Sequence, residues 1–159
     1  MGNGAGQGGP WYISGRMKIE RSALVSHSAA DMYALVHDVK SYPEFLGWCT
    51  YAEVHEQTRQ HQLATLGVSV MGIEQRFMTR NRLEPGRRLA LQLEAGPFRE
   101  LTGEWRFQPL GEEGSKVLLQ LEFDFAPGLI SSAFARGFRG IADHMVQEFC
   151  RRADELYDG

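Results

Sequence analysis

The chain has 159 residues, of which 43% are hydrophobic, 23% charged and 11% aromatic, with a formal net charge of −3. A chain of this length buries its own core, so one domain without staples is expected, and its apolar content excludes wholesale disorder. The 17 Lys and Arg are outnumbered by 20 Asp and Glu, which excludes a basic, nucleic-acid-coating protein but leaves room for a local basic patch.

The first sixteen residues are crowded with glycine and lack the basic and apolar regions of a signal peptide. Residues 1–16 read as a flexible tail or cloning scar, and Met17 as the start of the patterned chain. Residues 17–157 read as a single domain. Met17 to Val25 is a strand. Ser28-Ala29-Ala30-Asp31 resembles a capping box with Asp in place of Glu, and Met32, Leu35, Val36 and Val39 follow at helical spacing, which predicts a helix from Ala29 to Val39. Ser41 to Leu46 predicts a second, very short helix with Pro43 in its first turn.

From Trp48 to Phe125 the period becomes two. Trp48 to Thr58 and His61 to Met71 give two strands. In the next, Ile73, Gln75, Phe77, Thr79, Asn81 and Leu83 share one face. Leu89, Leu91 and Leu93 follow, then Leu101, Gly103, Trp105 and Phe107, then Val117, Leu119, Leu121, Phe123 and Phe125. Charged residues alternate with them, the pattern of antiparallel strands with one wet face. After Pro127-Gly128 the helical period returns. Ile130, Phe134, Phe138, Ile141, Met145, Phe149 and Leu156 form one stripe of a long helix from Leu129 to Tyr157. The fold class is α+β: a curved antiparallel sheet of about six or seven strands wrapped around a long C-terminal helix, with two short helices after the first strand.

Neither Cys49 nor Cys150 lies in a C-x-x-C pair, and both read as reduced, mostly buried thiols, although the count alone permits a disulfide. No apolar run reaches the roughly 18 residues of a membrane-spanning helix. His27, His37, His55, His61 and His144 show no paired metal-ligand spacing, and they read as mostly exposed non-ligands. No nucleophile stands beside an obvious base, which argues against a hydrolase and leaves an acid–base cyclase open. Arg76, Arg80, Arg82, Arg87 and Arg88 gather on the outer sheet face. That is a solvated face or a phosphate-contacting patch, with Glu74, Glu84, Glu94 and Glu104 nearby as opposing charges.

Polar residues on the inner face are the sharper clue. Gln75, Thr79 and Asn81 must meet each other, water or a ligand, because an unpartnered buried amide or hydroxyl is costly. Tyr42, Pro43, Phe45, Leu46 and Trp48 read as a packed plug or an apolar gate, and Phe98 at the tip of a Gly-Pro hairpin invites the same choice. Gly47 and Gly96 would let these loops move. Gly137 and Gly140 inside the long helix mark close approach to the sheet or room for a bound tail, lined by Phe134, Phe138, Ile141 and Met145.

Four stretches carry a resemblance to a family. They are Arg21-Ser22-Ala23-Leu24-Val25; Tyr33 and Val36 to Leu46 followed by Trp48-Cys49; Phe77-Met78-Thr79-Arg80-Asn81; and Gly96-Pro97-Phe98-Arg99-Glu100-Leu101 with Gly103 and Trp105-Arg106-Phe107. Together they resemble the coenzyme Q-binding, polyketide cyclase-like START (SRPBCC) family and its branch of bacterial ribosome association toxins. Gly47 stands where relatives usually carry proline. The resemblance implies the helix-grip fold and a non-enzymatic protein whose apolar cavity holds ubiquinone or another isoprenoid lipid, in support of respiration. Its implied ligand-binding residues are Tyr42, Pro43, Phe45, Leu46, Trp48, Phe77, Thr79, Asn81, Phe98, Trp105, Phe134, Phe138, Ile141 and Met145, with no metal and no required cofactor. The alternative it implies is an inhibitor that binds the large ribosomal subunit and blocks subunit association. A polyketide aromatase or cyclase comes third. The expected setting is cytoplasmic, with peripheral contact with the inner membrane left open, a hydrophobic small molecule as partner and no DNA.

Overall fold

The computed structural model describes residues 16–158. The tail expected over residues 1–16 therefore lies outside the described residues, except Arg16, whose guanidinium pairs with Glu100 at 2.6 Å and Glu122 at 3.3 Å. The chain order is β1 (Met17–Val25), α1 (Ala29–His37), a single 3-10 turn (Val39–Ser41), α2 (Tyr42–Phe45), β2 (Cys49–Gln57), β3 (His61–Val70), β4 (Ile73–Glu84), β5 (Arg88–Ala95), β6 (Phe98–Leu110), β7 (Gly114–Phe125) and α3 (Ser132–Tyr157).

All seven strands join one antiparallel sheet in the order β1-β7-β6-β5-β4-β3-β2. The first and second strands are thus the two edges, and α1 and α2 bridge between them. Turn chemistry sets the meander. Glu84-Pro85-Gly86-Arg87 closes with an Arg87 N–H to Glu84 carbonyl bond of 2.9 Å, with Gly86 at φ +75°. Proline at the first central position and glycine at a positive φ suit that turn. Both Met71 and Gly72 have positive φ, as a two-residue hairpin with strand-matching twist requires.

Capping fixes the helix starts. The Ser28 hydroxyl accepts from the Asp31 N–H at 3.1 Å, and the Ser131 hydroxyl from the Phe134 N–H at 3.1 Å. The long helix consequently begins at Ser132, three residues later than its apolar pattern suggested. Its buried face is Phe134, Phe138, Ala142, Val146, Phe149 and Ala153. Leu156, expected on that face, is 48% exposed, and so is about half of Ile73 at the start of β4 (49%).

Two clusters make the core. One joins α1, α2 and the C-terminal half of α3 to the sheet, around Met32, Val36, Leu46, Trp105, Leu119 and Phe149. The other joins only the N-terminal half of α3 to the sheet, around Val68, Phe98, Leu121, Phe123, Phe134 and Phe138.

Candidate functional site

A cavity lies at the seam of the two clusters, between the concave sheet face and α3. It is lined by Val39, Tyr42 and Trp48 from the helical side, Ala64, Leu66 and Val68 from β3, Phe77, Thr79 and Asn81 from β4, Leu89 and Leu91 from β5, Leu101 and Trp105 from β6, Leu119 and Leu121 from β7, and Phe138, Ile141 and Met145 from α3. Strand alternation puts the β4 residues on one face, and three- and four-residue spacing does the same for the helical ones. Its volume is about 80 Å³. That is space for two or three waters, well below the roughly 300–1,000 Å³ of pockets that take drug-sized ligands.

Of the expected site residues, Tyr42, Trp48, Phe77, Thr79, Asn81, Trp105, Phe138, Ile141 and Met145 line this cavity. The others do not. Pro43 is exposed on the outside of α2. Leu46 is fully buried in the core, and Phe45 lies edge-on to Tyr42 and Phe149 with Arg152 over its outer face. Of the plug and gate readings, α2 fits the plug. The Tyr42 hydroxyl donates to the Val36 carbonyl, and burial holds its proton far above the ordinary phenol range. Trp48 Nε1 donates to Glu148 Oε1 at 2.9 Å, which ties the loop after α2 to α3.

Phe98 is no exposed tip. A register shift between Phe98 and Glu100 turns it inward, where it stacks on Phe125 at 4.9 Å and meets Phe77 and Phe138 edge-on. With Phe134 it borders a small separate crevice at the far end of α3. The glycines sort similarly. A Cβ on Gly96 would lie 2.5 Å from Phe77 Cβ, and one on Gly137 would lie 2.4 Å from Val70 Cγ1. Both mark close approach rather than mobility. Added at Gly140 or Gly47, a Cβ would meet nothing within 4 Å.

Of the inner polar residues, Asn81 joins a network with a member that the sequence reading missed, whereas Thr79 lines the cavity and Gln75 the small crevice beside Phe98. Gln62 on β3 is 1% exposed. Its Nε2 donates to the His37 carbonyl and to Gln57 Oε1, each at 3.0 Å, and its Oε1 accepts from Asn81 Nδ2 at 2.8 Å. Gln62 sits in phase with Ala64, Leu66 and Val68 along β3, so alternation alone could have found it. Burial lowers the His37 imidazole below the ordinary histidine range against the pull of Asp38, and its ring stacks on Tyr33.

His27, expected on the surface, is 5% exposed. Its Nε2 lies 2.8 Å from Asp154 Oδ1, and Asp158 is nearby, so the three could in principle share a cation. The direct His27–Asp154 hydrogen bond already satisfies the buried ring. Cys49 and Cys150 are free thiols. Burial pushes the Cys49 thiol up to about 11, which keeps it protonated at neutral pH and makes it a poor nucleophile.

On the outer face, Arg76 pairs with Glu74, Arg80 with Glu94, and Arg88 with both Glu84 and Glu104. Arg88 in turn holds the Glu104 carboxyl below its ordinary range. Most of the basic cluster is therefore internally neutralised. Arg87 and Lys116 have no carboxylate partner among the described residues. With Glu84, Gln108 and the paired Arg88 and Arg106 they border an open groove of about 280 Å³ where the β4–β5 turn meets the ends of β6 and β7.

Comparison with known proteins places this geometry. The family described as "polyketide cyclase / dehydrase and lipid transport" matches residues 25–150. The ribosome association toxin RatA of Pseudomonas aeruginosa is 45% identical over 139 residues, 87% of this chain and 96% of that protein. A coenzyme Q-binding protein COQ10 homolog of Xenopus laevis is 26% identical over 93% of this chain and 62% of that protein. Among solved structures, the Zhui aromatase/cyclase of Streptomyces superposes with a TM-score of 0.75 at 20% identity, covering 91% of this chain and 98% of that one. At that identity the likeness speaks to the fold alone.

Proposed function

The chain belongs to the polyketide cyclase / dehydrase and lipid transport family, and from that premise we propose that it is a non-enzymatic protein that binds the large ribosomal subunit and hinders subunit association. The observation that carries this reading is the 45% identity to a ribosome association toxin across nearly the whole folded domain. It reverses the order expected from sequence, where quinone binding stood first. The interior supports the change. About 80 Å³ is less than a resident isoprenoid lipid needs, which favours a role for the outer surface. The groove at Arg87 and Lys116 supplies two cations, unpaired among the described residues, for ribosomal RNA phosphates, beside Arg106, which Glu104 holds.

The test is cosedimentation with purified ribosomal subunits. The chain is expected to travel with the large subunit, with binding that falls as salt rises and weakens in Arg87→Glu/Lys116→Glu. A chain that stays at the top of the gradient at low salt contradicts the proposal.

A second reading has its own observation. The cavity wall is almost wholly apolar, with Thr79 and Asn81 as its polar exceptions outside the aromatic rings. That is the make-up of a small-molecule pocket, with convergent polar groups in an apolar lining. In this reading a small apolar molecule is held there after the wall yields.

A further inference from the structure

A residue of the cavity wall, Asn81, carries a buried acceptor that the fold leaves without a partner. Asn81 is 4% exposed and lines the cavity. Its Oδ1 is buried and has no hydrogen-bond partner among the described residues. A buried acceptor left unpaired is destabilising, so its presence asks for a reason.

Chemistry decides which end of this amide is bare. The His37 carbonyl can only accept, so Gln62 must turn Nε2 toward it, 3.0 Å away. The same Nε2 donates to Gln57 Oε1, and Gln57 is oriented in turn because its own Nε2 donates to the Thr58 carbonyl at 2.8 Å. Two acceptors therefore fix the Gln62 amide. Its Oε1 is left to face Asn81, which must answer with Nδ2 at 2.8 Å. Rotating any one of these amides would set donor against donor or acceptor against acceptor. Asn81 is thus held with one Nδ2–H given to Gln62 and its Oδ1 acceptor free.

We propose that Asn81 Oδ1 is a recognition point that selects an apolar ligand bearing an O–H or N–H donor. A phenol or hydroquinone hydroxyl satisfies it. A quinone does not, because its oxygens only accept. This rests on the cavity-ligand reading above, and it gives that reading a sign. Elsewhere on the wall, the Thr79 hydroxyl and the second Nδ2–H of Asn81 can donate to a ligand oxygen, which a phenol and its ether carry alike. Trp48 Nε1 is committed to Glu148 and the Tyr42 hydroxyl to Val36. The Thr79 hydroxyl can give or take. The present volume is below the roughly 150 Å³ of an engineered cavity that takes benzene, so a ring is admitted only when Phe138, Ile141 and Met145 shift.

The experiment titrates the full chain with 4-propylphenol and with its methyl ether, 4-propylanisole, read by the fluorescence of Trp48 and Trp105 on the wall. The two probes differ chiefly in the donor. The phenol is expected to bind at least about tenfold tighter. Asn81→Leu should abolish the preference. Gln62→Leu should reduce it while binding persists, because the Asn81 amide is then free to turn. If Asn81→Leu does not fold, the wild-type pair and Gln62→Leu decide. Equal affinity of the two probes for the wild-type chain overturns the inference and leaves the cavity-ligand reading standing. Equal affinity is also what a resident water capping Oδ1 would produce. A preference that survives in both variants overturns the inference as well. Binding of neither probe overturns both.

Discussion

The two halves of the core are built from similar residues but closed differently. Around Phe149 the sheet is covered by α3 and then by α1 and α2, so Met32, Val36 and Leu46 seal a layer that Phe134 and Phe138 lack. Around Phe138 only the N-terminal half of α3 lies on the sheet, packed through an aromatic cluster of Phe77, Phe98, Phe123 and Phe125. The cavity sits between them. The lesson is that one end anchors the fold and the other is the wall that can yield. Phe138 has the cavity on one side of its ring, whereas displacing α1 and α2 would expose a core sealed from three sides.

Truncation tests that contrast most strongly. Phe149→Ala should cost about 3–5 kcal/mol in urea unfolding. Phe138→Ala should cost less, because one side of its ring already faces the cavity, and it should enlarge the space for an apolar probe. Equal losses, or the reverse order, would erase the distinction between the two ends.

The helix glycines sharpen it on a smaller scale. Gly137→Ala drives a methyl into Val70 and should cost about 1–3 kcal/mol unless the β3 end moves aside. Gly140→Ala meets open space and should stabilise by up to about 1 kcal/mol through helix propensity. Thermal melts of the two variants should therefore move in opposite directions. Movement in the same direction would mean that Gly137 is not a contact point.

The weakest expected effect is a pH dependence at the anchored end. Burial lowers the folded-state value of His37 from its ordinary 6.5. The unfolded chain therefore takes up the proton first, and stability falls as pH drops below the ordinary value, until pH passes the lowered folded one. Melting temperature should decline from pH 7 toward pH 5, and His37→Gln should flatten that slope. An unchanged slope in the variant would assign the dependence to another group.

Much of the fold was legible in the sequence because period-two alternation runs through most of β2 to β7, broken by bulges in β2 and β6, and a capping serine, Ser28, announces the first helix. The family motifs around Tyr42 to Leu46 and Gly96 to Leu101 carried the fold further than periodicity could. What escaped has physical causes. Phe98 reads as a turn-tip residue until a bulge turns it inward. Ala142 and Ala153 are small, so a stripe drawn through large residues passed to Ile141, Met145 and Leu156 instead. His27 finds Asp154 across 127 positions, a pairing that no local pattern encodes. Nine of the eighteen residues on the cavity wall stand in the expected set, but its small volume was not foreseen, because alternation reports which face a side chain occupies and not how tightly the two faces meet.

The central claim is that this protein acts on ribosomal subunits. Light scattering during magnesium-driven reassociation of purified small and large subunits tests it most directly. Addition of the chain in stoichiometric amounts should lower the plateau of assembled ribosomes, and preincubation with the large subunit should be more effective than with the small. An unchanged plateau at saturating protein would contradict the account.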